Sequence, residues 1–195
     1  MSKDPSLKIV PFDEIPALVQ RLSEQKGYSF VTTNGCFDLI HPGHISLLQS
    51  AREKGDILIV GVNSDAAIRR LKGPTRPVMT EAERLLMLSS LECVDFVTII
   101  DDDEIARPLI ESVHPDVHVK GSEYKGKCKE QAIIKRMGGE MCFVEMAPEL
   151  STSNIVRRIR NMSDGTEGTP QCIISIPTCP HCGKDVSVEV CLKES

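Results

Sequence analysis

The sequence predicts a doubly wound α/β domain, a five-stranded parallel sheet with helices on both faces, followed by a small cysteine-rich β-hairpin tail. Three observations predict it. Short apolar runs alternate with helical patterns through residues 13–162, the order that βαβ units produce. The runs are continuously apolar, as in strands buried on both faces. The helical stretches carry capping residues before them and glycines after them.

Taken in order, DEIPALVQRLSEQKG is a helix closed by Gly27, and residues 28–33 (YSFVTT) are a buried strand ending in a polar turn at Asn34 and Gly35. Residues 42–55 form a helix with Ile45, Leu48 and Ala51 on one face and Gly55 as its stop. DILIVGVN (56–63) is the second strand, and Ser64 caps a short helix over 64–73. Thr80 and Glu83 make a capping box that opens a helix over 80–92. A third strand spans 95–100, a helix interrupted near Pro108 spans 103–113, and a fourth strand spans 116–120. A helix over 128–139, a fifth strand over 140–146 and a helix over 151–161 complete the domain, whose expected limits are 1–162. Residues 163–171 (SDGTEGTPQ) read as a linker and 172–195 as the hairpin tail.

Composition narrows the class. With 195 residues, 41% hydrophobic and 26% charged, the chain has the make-up of an ordinary globular protein. The net charge of −5 argues against a nucleic-acid partner. No apolar run reaches the roughly 20 residues that span a bilayer, and the N-terminal residues lack the apolar core of a signal peptide. The expected compartment is the cytoplasm, with no membrane partner. Any anionic ligand must be met by a local cluster of positive groups.

The stretch Thr32-Thr33-Asn34-Gly35-Cys36-Phe37-Asp38-Leu39-Ile40-His41-Pro42-Gly43-His44 runs from the end of the first strand into the next helix. At such a junction backbone N–H groups and the helix dipole favour an anion. Pro42 suits the first helical position, and Gly43 leaves the helix end open. His41 and His44 flank that end as donors to phosphate oxygens. A metal reading is weaker, because paired histidine ligands on a helix usually sit four apart. An ordinary polar turn is the bland alternative.

TNGCFDLIHPGH resembles the first signature of the nucleotidyltransferase superfamily that carries a His-x-Gly-His motif. The superfamily's second signature, a Ser/Thr-rich turn opening the last helix, is matched by Leu150-Ser151-Thr152-Ser153-Asn154-Ile155. Residues 61–78, 83–97 and 115–121 are similar to one branch, the adenylyltransferases of D-glycero-β-D-manno-heptose 1-phosphate. The resemblance covers roughly residues 28–160. It implies a Rossmann-like nucleotidyltransferase fold, attack of a substrate phosphate on the α-phosphorus of ATP, and release of pyrophosphate. It implies Mg²⁺ with the ATP and, as partners, a nucleoside triphosphate and a phosphorylated sugar. The expected assembly is a homodimer.

The same resemblance implies roles for single residues. His41, His44 and Lys72 would be catalytic, neutralising charge on the triphosphate. Thr33, Asn34, Gly35, Cys36 and Phe37 would hold the α-phosphate region, Lys120 and Gly121 would contact the nucleotide, and Ser151, Thr152 and Ser153 would cradle the β- and γ-phosphates. Asp38 and Arg76 would meet the sugar phosphate. Structural alternatives stand beside these roles: Ser151 as a plain N-cap, Lys72 and Arg76 as solvated charges, Asp38 as a turn-stabilising carboxylate. The acidic run 101–104 reads as loop and helix-start charge.

Some positions depart from the pattern. Val156 stands where the wider superfamily often has a basic residue, a shift that the heptose branch shares. Met146 replaces an arginine found in glycerol-phosphate cytidylyltransferases, and Lys120-Gly121-Ser122-Glu123-Tyr124 stands for the branch's KGGDY. A transferase for another polyol phosphate or cofactor precursor, or a non-catalytic nucleotide binder, are the alternatives.

Four of the eight cysteines lie in the tail. Cys179-Pro-His-Cys182-Gly resembles a zinc knuckle, so Cys179 and Cys182 are candidate ligands of a structural Zn²⁺. In a hairpin turning at Pro180-His181, Cys172 and Cys191 would lie roughly 20–25 Å away and would pair only with each other. Zinc then needs a different fold, Cys128 or His181, or a second chain. An inert hairpin is the alternative.

Overall fold

The computed structural model describes residues 4–102, 106–145, 152–163, 173–176 and 186–189. The chain divides into two compact units, 1–155 and 156–195. In the first, the elements follow as α1 (Ile15–Lys26), β1 (Phe30–Gly35), α2 (Pro42–Arg52), β2 (Ile57–Asn63), α3 (Asp65–Lys72) and α4 (Glu81–Ser89). They continue as β3 (Phe96–Ile100), α5 (Arg107–Val113), β4 (Val117–Gly121), α6 (Glu130–Arg136) and β5 (Glu140–Val144). Helix α7 (Thr152–Ser163) begins in the first unit. In the second unit, β6 (Ile173–Ile176) and β7 (Val186–Glu189) pair antiparallel.

All five strands of the main sheet are parallel, in the order β3-β2-β1-β4-β5. The apolar residues of the strands supply two cores. Val31, Leu58, Val60 and Val62 pack with Leu47 and Leu48 of α2 and Leu88 of α4. Phe30 and Ile59 pack with Ile15 of α1, Leu109 and Ile110 of α5, and Ile133 and Ile134 of α6. Burial on both faces explains why no polar alternation marks these strands. Gly61 serves the second core: a Cβ there would lie 2.8 Å from a Leu109 methyl.

Local signals set most boundaries, and the exceptions are informative. Gly27 ends α1 at φ +59°, and Thr80 with Glu83 forms the expected capping box. Asn34 and Gly35 do not turn; they extend β1, paired with Gly61 and Val62 of β2. Helix α2 ends at Arg52, short of Gly55. Pro108 starts α5 and does not interrupt it, because in the first turn its missing N–H breaks no hydrogen bond.

β1 lies between β2 and β4, so the connections leave it in opposite directions. The crevice at the carboxyl ends of β1 and β4 is where such sheets bind ligands. Two buried side chains stitch this seam. Thr32 Oγ1 lies 2.8 Å from His118 Nδ1, and Thr33 Oγ1 donates to the Val119 carbonyl at 2.8 Å. Burial, with a smaller push from Lys120, lowers the His118 pKa to about 3. The ring is therefore neutral when folded. An unfolded chain takes up that proton below about pH 6.5, so this group's contribution falls away as the pH drops toward 3.

Arg84 of α4 fixes the segment that follows β1. Its guanidinium is fully buried and donates to the Cys36 carbonyl at 2.6 Å, the Met79 carbonyl at 3.2 Å and Asp65 Oδ1 at 2.7 Å. Asp38, also buried, accepts from the backbone N–H groups of Val78 (2.7 Å) and Met79 (3.0 Å), and Arg76 Nη2 lies 2.5 Å from its other oxygen. The loop before α2 is thus tied at Cys36 and Asp38 to α4 and to the connection between α3 and α4. Arg84→Met leaves Asp65 and two carbonyls without their donor. It is expected to cost about 3–5 kcal/mol of stability, read as a lowered urea midpoint; an unchanged midpoint would contradict this role.

Candidate active site

The loop 36–41 delivers His41 as the N-cap of α2, in extended backbone at φ −139°. Its carbonyl accepts from the His44 N–H at 2.9 Å, which begins the helix. Pro42 occupies the first turn, and Gly43 is buried. The His41 and His44 rings stack at 3.7 Å with 23° between their planes, and the Phe37 ring lies 5.1 Å from His44. Phe37 holds φ +46°, a conformation rare for a bulky residue, and its ring edge lies 3.3 Å from where a Gly35 Cβ would stand. Gly35 thus sits in a tight contact and not in a turn.

Both imidazoles are neutral near pH 7. Burial lowers the His41 pKa. For His44, burial comes first, then the neighbouring charges of His41 and Lys72, against the Leu39 backbone, bringing its pKa down to about 3. His41 Nδ1 is buried without a hydrogen-bond partner in the protein, a group that a bound ligand would satisfy.

A cleft of about 780 Å³ opens at the seam between β1 and β4. Asn34, Gly35, Cys36, Phe37, Asp38, His41 and His44 line one side, and Lys72 at the end of α3 joins them. Lys120 and Gly121 close β4 on the other side, followed by Tyr124, Cys128 and Glu130. Thr152 and Ser153 reach it from the start of α7, where Thr152 Oγ1 donates to the Leu39 carbonyl at 3.4 Å. Among the described residues of the lining, four lysines (72, 120, 127, 129) stand with four carboxylates (Asp38, Asp102, Glu123, Glu130), of which Asp38 is already paired with Arg76.

The structure thus gathers twelve of the sequence-derived candidates in one cleft: His41, His44, Lys72, Asn34, Gly35, Cys36, Phe37, Asp38, Lys120, Gly121, Thr152 and Ser153. Thr33 and Arg76 are placed differently. The Thr33 hydroxyl faces the β1–β4 seam and is consumed by Val119, beneath the cleft. Arg76 is absent from the lining and holds Asp38, so the pair expected on the sugar phosphate is engaged with itself and with the backbone. Ser151, Cys179 and Cys182 lie outside the described residues.

Sequence reasoning missed Arg84 and Glu130, and gave Tyr124 and Cys128 no role in the cleft. Arg84 left one signal, a basic residue one turn before Leu88 on the apolar side of α4. Glu130 left none, since glutamate in a helix's first turn is ordinary. Burial disfavours the ionised Glu130, but Lys120 and then the Cys128 thiol outweigh it and lower its pKa.

Among the described residues, no group of three or more His, Cys, Asp or Glu is placed to hold a metal ion, and no helix is long and apolar enough to cross a membrane. The cytidylyltransferase-like family model matches residues 32–158. Bifunctional protein HldE of Geotalea uraniireducens is 45% identical over 161 residues, covering 82% of this chain and 32% of that protein. Its counterpart in Helicobacter pylori strain P12 is 43% identical over 153 residues, 78% of this chain and 31% of that one. The chain therefore spans about a third of the length of these relatives. The crystal structure of the lipopolysaccharide core biosynthesis protein from Thermoplasma volcanium superposes with a TM-score of 0.51 at 30% identity, over 62% of this chain and 98% of that one. A pantoate-beta-alanine ligase from Francisella tularensis shares the fold alone, with a TM-score of 0.51 at 15% identity over 76% of this chain and 72% of that one. With a crevice at the switch point of its sheet, a stacked histidine pair and a family match across both signatures, this chain belongs to the cytidylyltransferase-like family.

Proposed function

We propose that the chain is a nucleotidyltransferase that moves AMP from ATP to a sugar phosphate, heptose 1-phosphate, and releases pyrophosphate. The observation that carries this reading is the stacked pair of neutral histidines at the start of α2, facing a cleft at the sheet's switch point. The likeness to HldE proteins and to a lipopolysaccharide core biosynthesis protein supports the sugar and its phosphate.

In the reaction, an oxygen of the acceptor phosphate attacks the α-phosphorus, and the bond to the β-phosphate oxygen breaks. Both substrates bring phosphate, so the protein needs no nucleophile of its own. Such a transfer depends on positioning and on stabilising charge. His41 and His44, as neutral rings, donate N–H groups where charge grows on the phosphate oxygens. Lys72 supplies a full positive charge at the same end. The backbone at Asn34, Gly35, Cys36 and Phe37 shapes the α-phosphate seat, and Ser151, Thr152 and Ser153 receive the outer phosphates. The mixed lysines and carboxylates of the described lining fit a triphosphate that arrives with Mg²⁺, which phosphate oxygens would hold. That ion, when bound, neutralises the phosphates and the pyrophosphate leaving group.

Pyrophosphate release, screened over ATP, CTP and GTP against sugar 1-phosphates and polyol phosphates, tests this directly. Turnover is expected with ATP and heptose 1-phosphate; turnover with CTP alone would remove the adenylyl assignment. His44→Ala is expected to lower kcat by about 10²-fold or more, and full activity in that variant would end the phosphate role of the histidine.

The proposal includes a cytoplasmic homodimer and a separate tail over 172–195, in which Cys179 and Cys182 supply two ligands of a zinc ion whose other ligands come from Cys128, His181 or a second chain. Metal analysis of the purified full chain is expected to find zinc that Cys179→Ala abolishes. A zinc-free wild type would leave the tail an inert hairpin.

A further inference from the structure

Lys120 ends β4 inside the cleft, and its ammonium is already engaged. Nζ lies 3.2 Å from Glu130 Oε1, with both side chains nearly buried. The other Glu130 oxygen accepts from the Cys128 thiol at 3.0 Å, and the Tyr124 ring centroid lies 5.2 Å from the ammonium. Burial, then Glu130, raises the Cys128 pKa to about 11, so the sulfur keeps its proton and remains a donor. Carboxylate and ammonium are thus each held from a second side.

Stability alone does not account for such a pair. Taking both charges out of water costs what their attraction returns, and an apolar pair of similar size serves a core as well or better. The pair stands at the switch point, on the lining of the cleft. An ammonium has three donors, and the single bond to Glu130 leaves two for a ligand. A carboxylate beside that ammonium also opposes any phosphate that approaches it.

We propose that Glu130 is a built-in counter-anion: it positions Lys120 in the empty cleft and, when nucleotide or pyrophosphate binds, shares the ammonium with it and weakens the hold on both. The inference rests on the proposed nucleotide site and adds Glu130 as a positioning residue acting through Lys120, with Cys128 and Tyr124 as its supports. Moderate affinity for pyrophosphate favours its release after transfer.

Calorimetric titration of the full chain with Mg·ATP and with pyrophosphate, in a double-mutant cycle, tests it. Lys120→Met is expected to weaken pyrophosphate binding about tenfold. Glu130→Gln is expected to tighten it about fivefold, and the double variant to bind like Lys120→Met alone, since the effect runs through the ammonium. A merely structural glutamate would, when replaced, weaken binding. Weaker or unchanged binding in Glu130→Gln overturns the proposal, as does equal tightening with and without Lys120. Should the single variants fail to fold, Lys120→Met combined with Glu130→Met keeps the pair apolar; pyrophosphate binding as tight as in wild type would then overturn the proposal, and weaker binding supports it. A wild type that binds ATP and turns over while Glu130→Gln shows no tightening sinks this inference alone. A wild type that binds neither ATP, CTP nor pyrophosphate sinks the functional reading as well.

Discussion

The cleft depends on a buried guanidinium. Arg84 holds one end of the loop after β1 through the Cys36 carbonyl, and Met79 and Asp65 hold Arg84. That tie helps to set Phe37 above Gly35, and Phe37 packs near the ring of His44. Asp38 and Arg76 add a second tie, so a segment of six residues between β1 and α2 has little freedom left. Rigid placement of this kind is what a transfer reaction requires, because the protein's contribution lies in where its donors stand.

Electrostatics follow from the same burial. Burial at the start of α2 removes the histidines from water, which keeps both rings neutral. Among the described residues, the lysines of the lining are matched in number by carboxylates. The cleft is therefore a set of oriented donors amid mixed charges, suited to a ligand that brings its own cation. The Lys120–Glu130 pair is the most buried expression of that balance.

Much of the fold was legible because its signals are local. Capping residues, glycine stops and continuous apolar runs mark the helices and strands before any packing is known, and the His41–His44 spacing marks the ligand end of β1. What escaped reading depends on contacts between distant segments. Asn34 and Gly35 look like a turn until β2 is seen to pair with them. Thr33 has the chemistry of a phosphate ligand, yet strand register points its hydroxyl at Val119. Arg76 and Asp38 look like two substrate contacts because the sequence does not reveal that they meet. Glu130 gains its meaning only from Lys120, which is ten positions earlier and on another element.

The central claim is that the histidines at the start of α2 are neutral donors to a bound triphosphate. Nuclear magnetic resonance of the isotope-labelled imidazoles, with and without a non-hydrolysable ATP analogue and Mg²⁺, addresses it directly. The account predicts that His44 in the empty cleft stays neutral between about pH 5 and 8, and that the analogue shifts the ring resonances of both His41 and His44. A His44 that titrates near 6.5 in the empty protein, or rings that do not respond to saturating analogue, would contradict it.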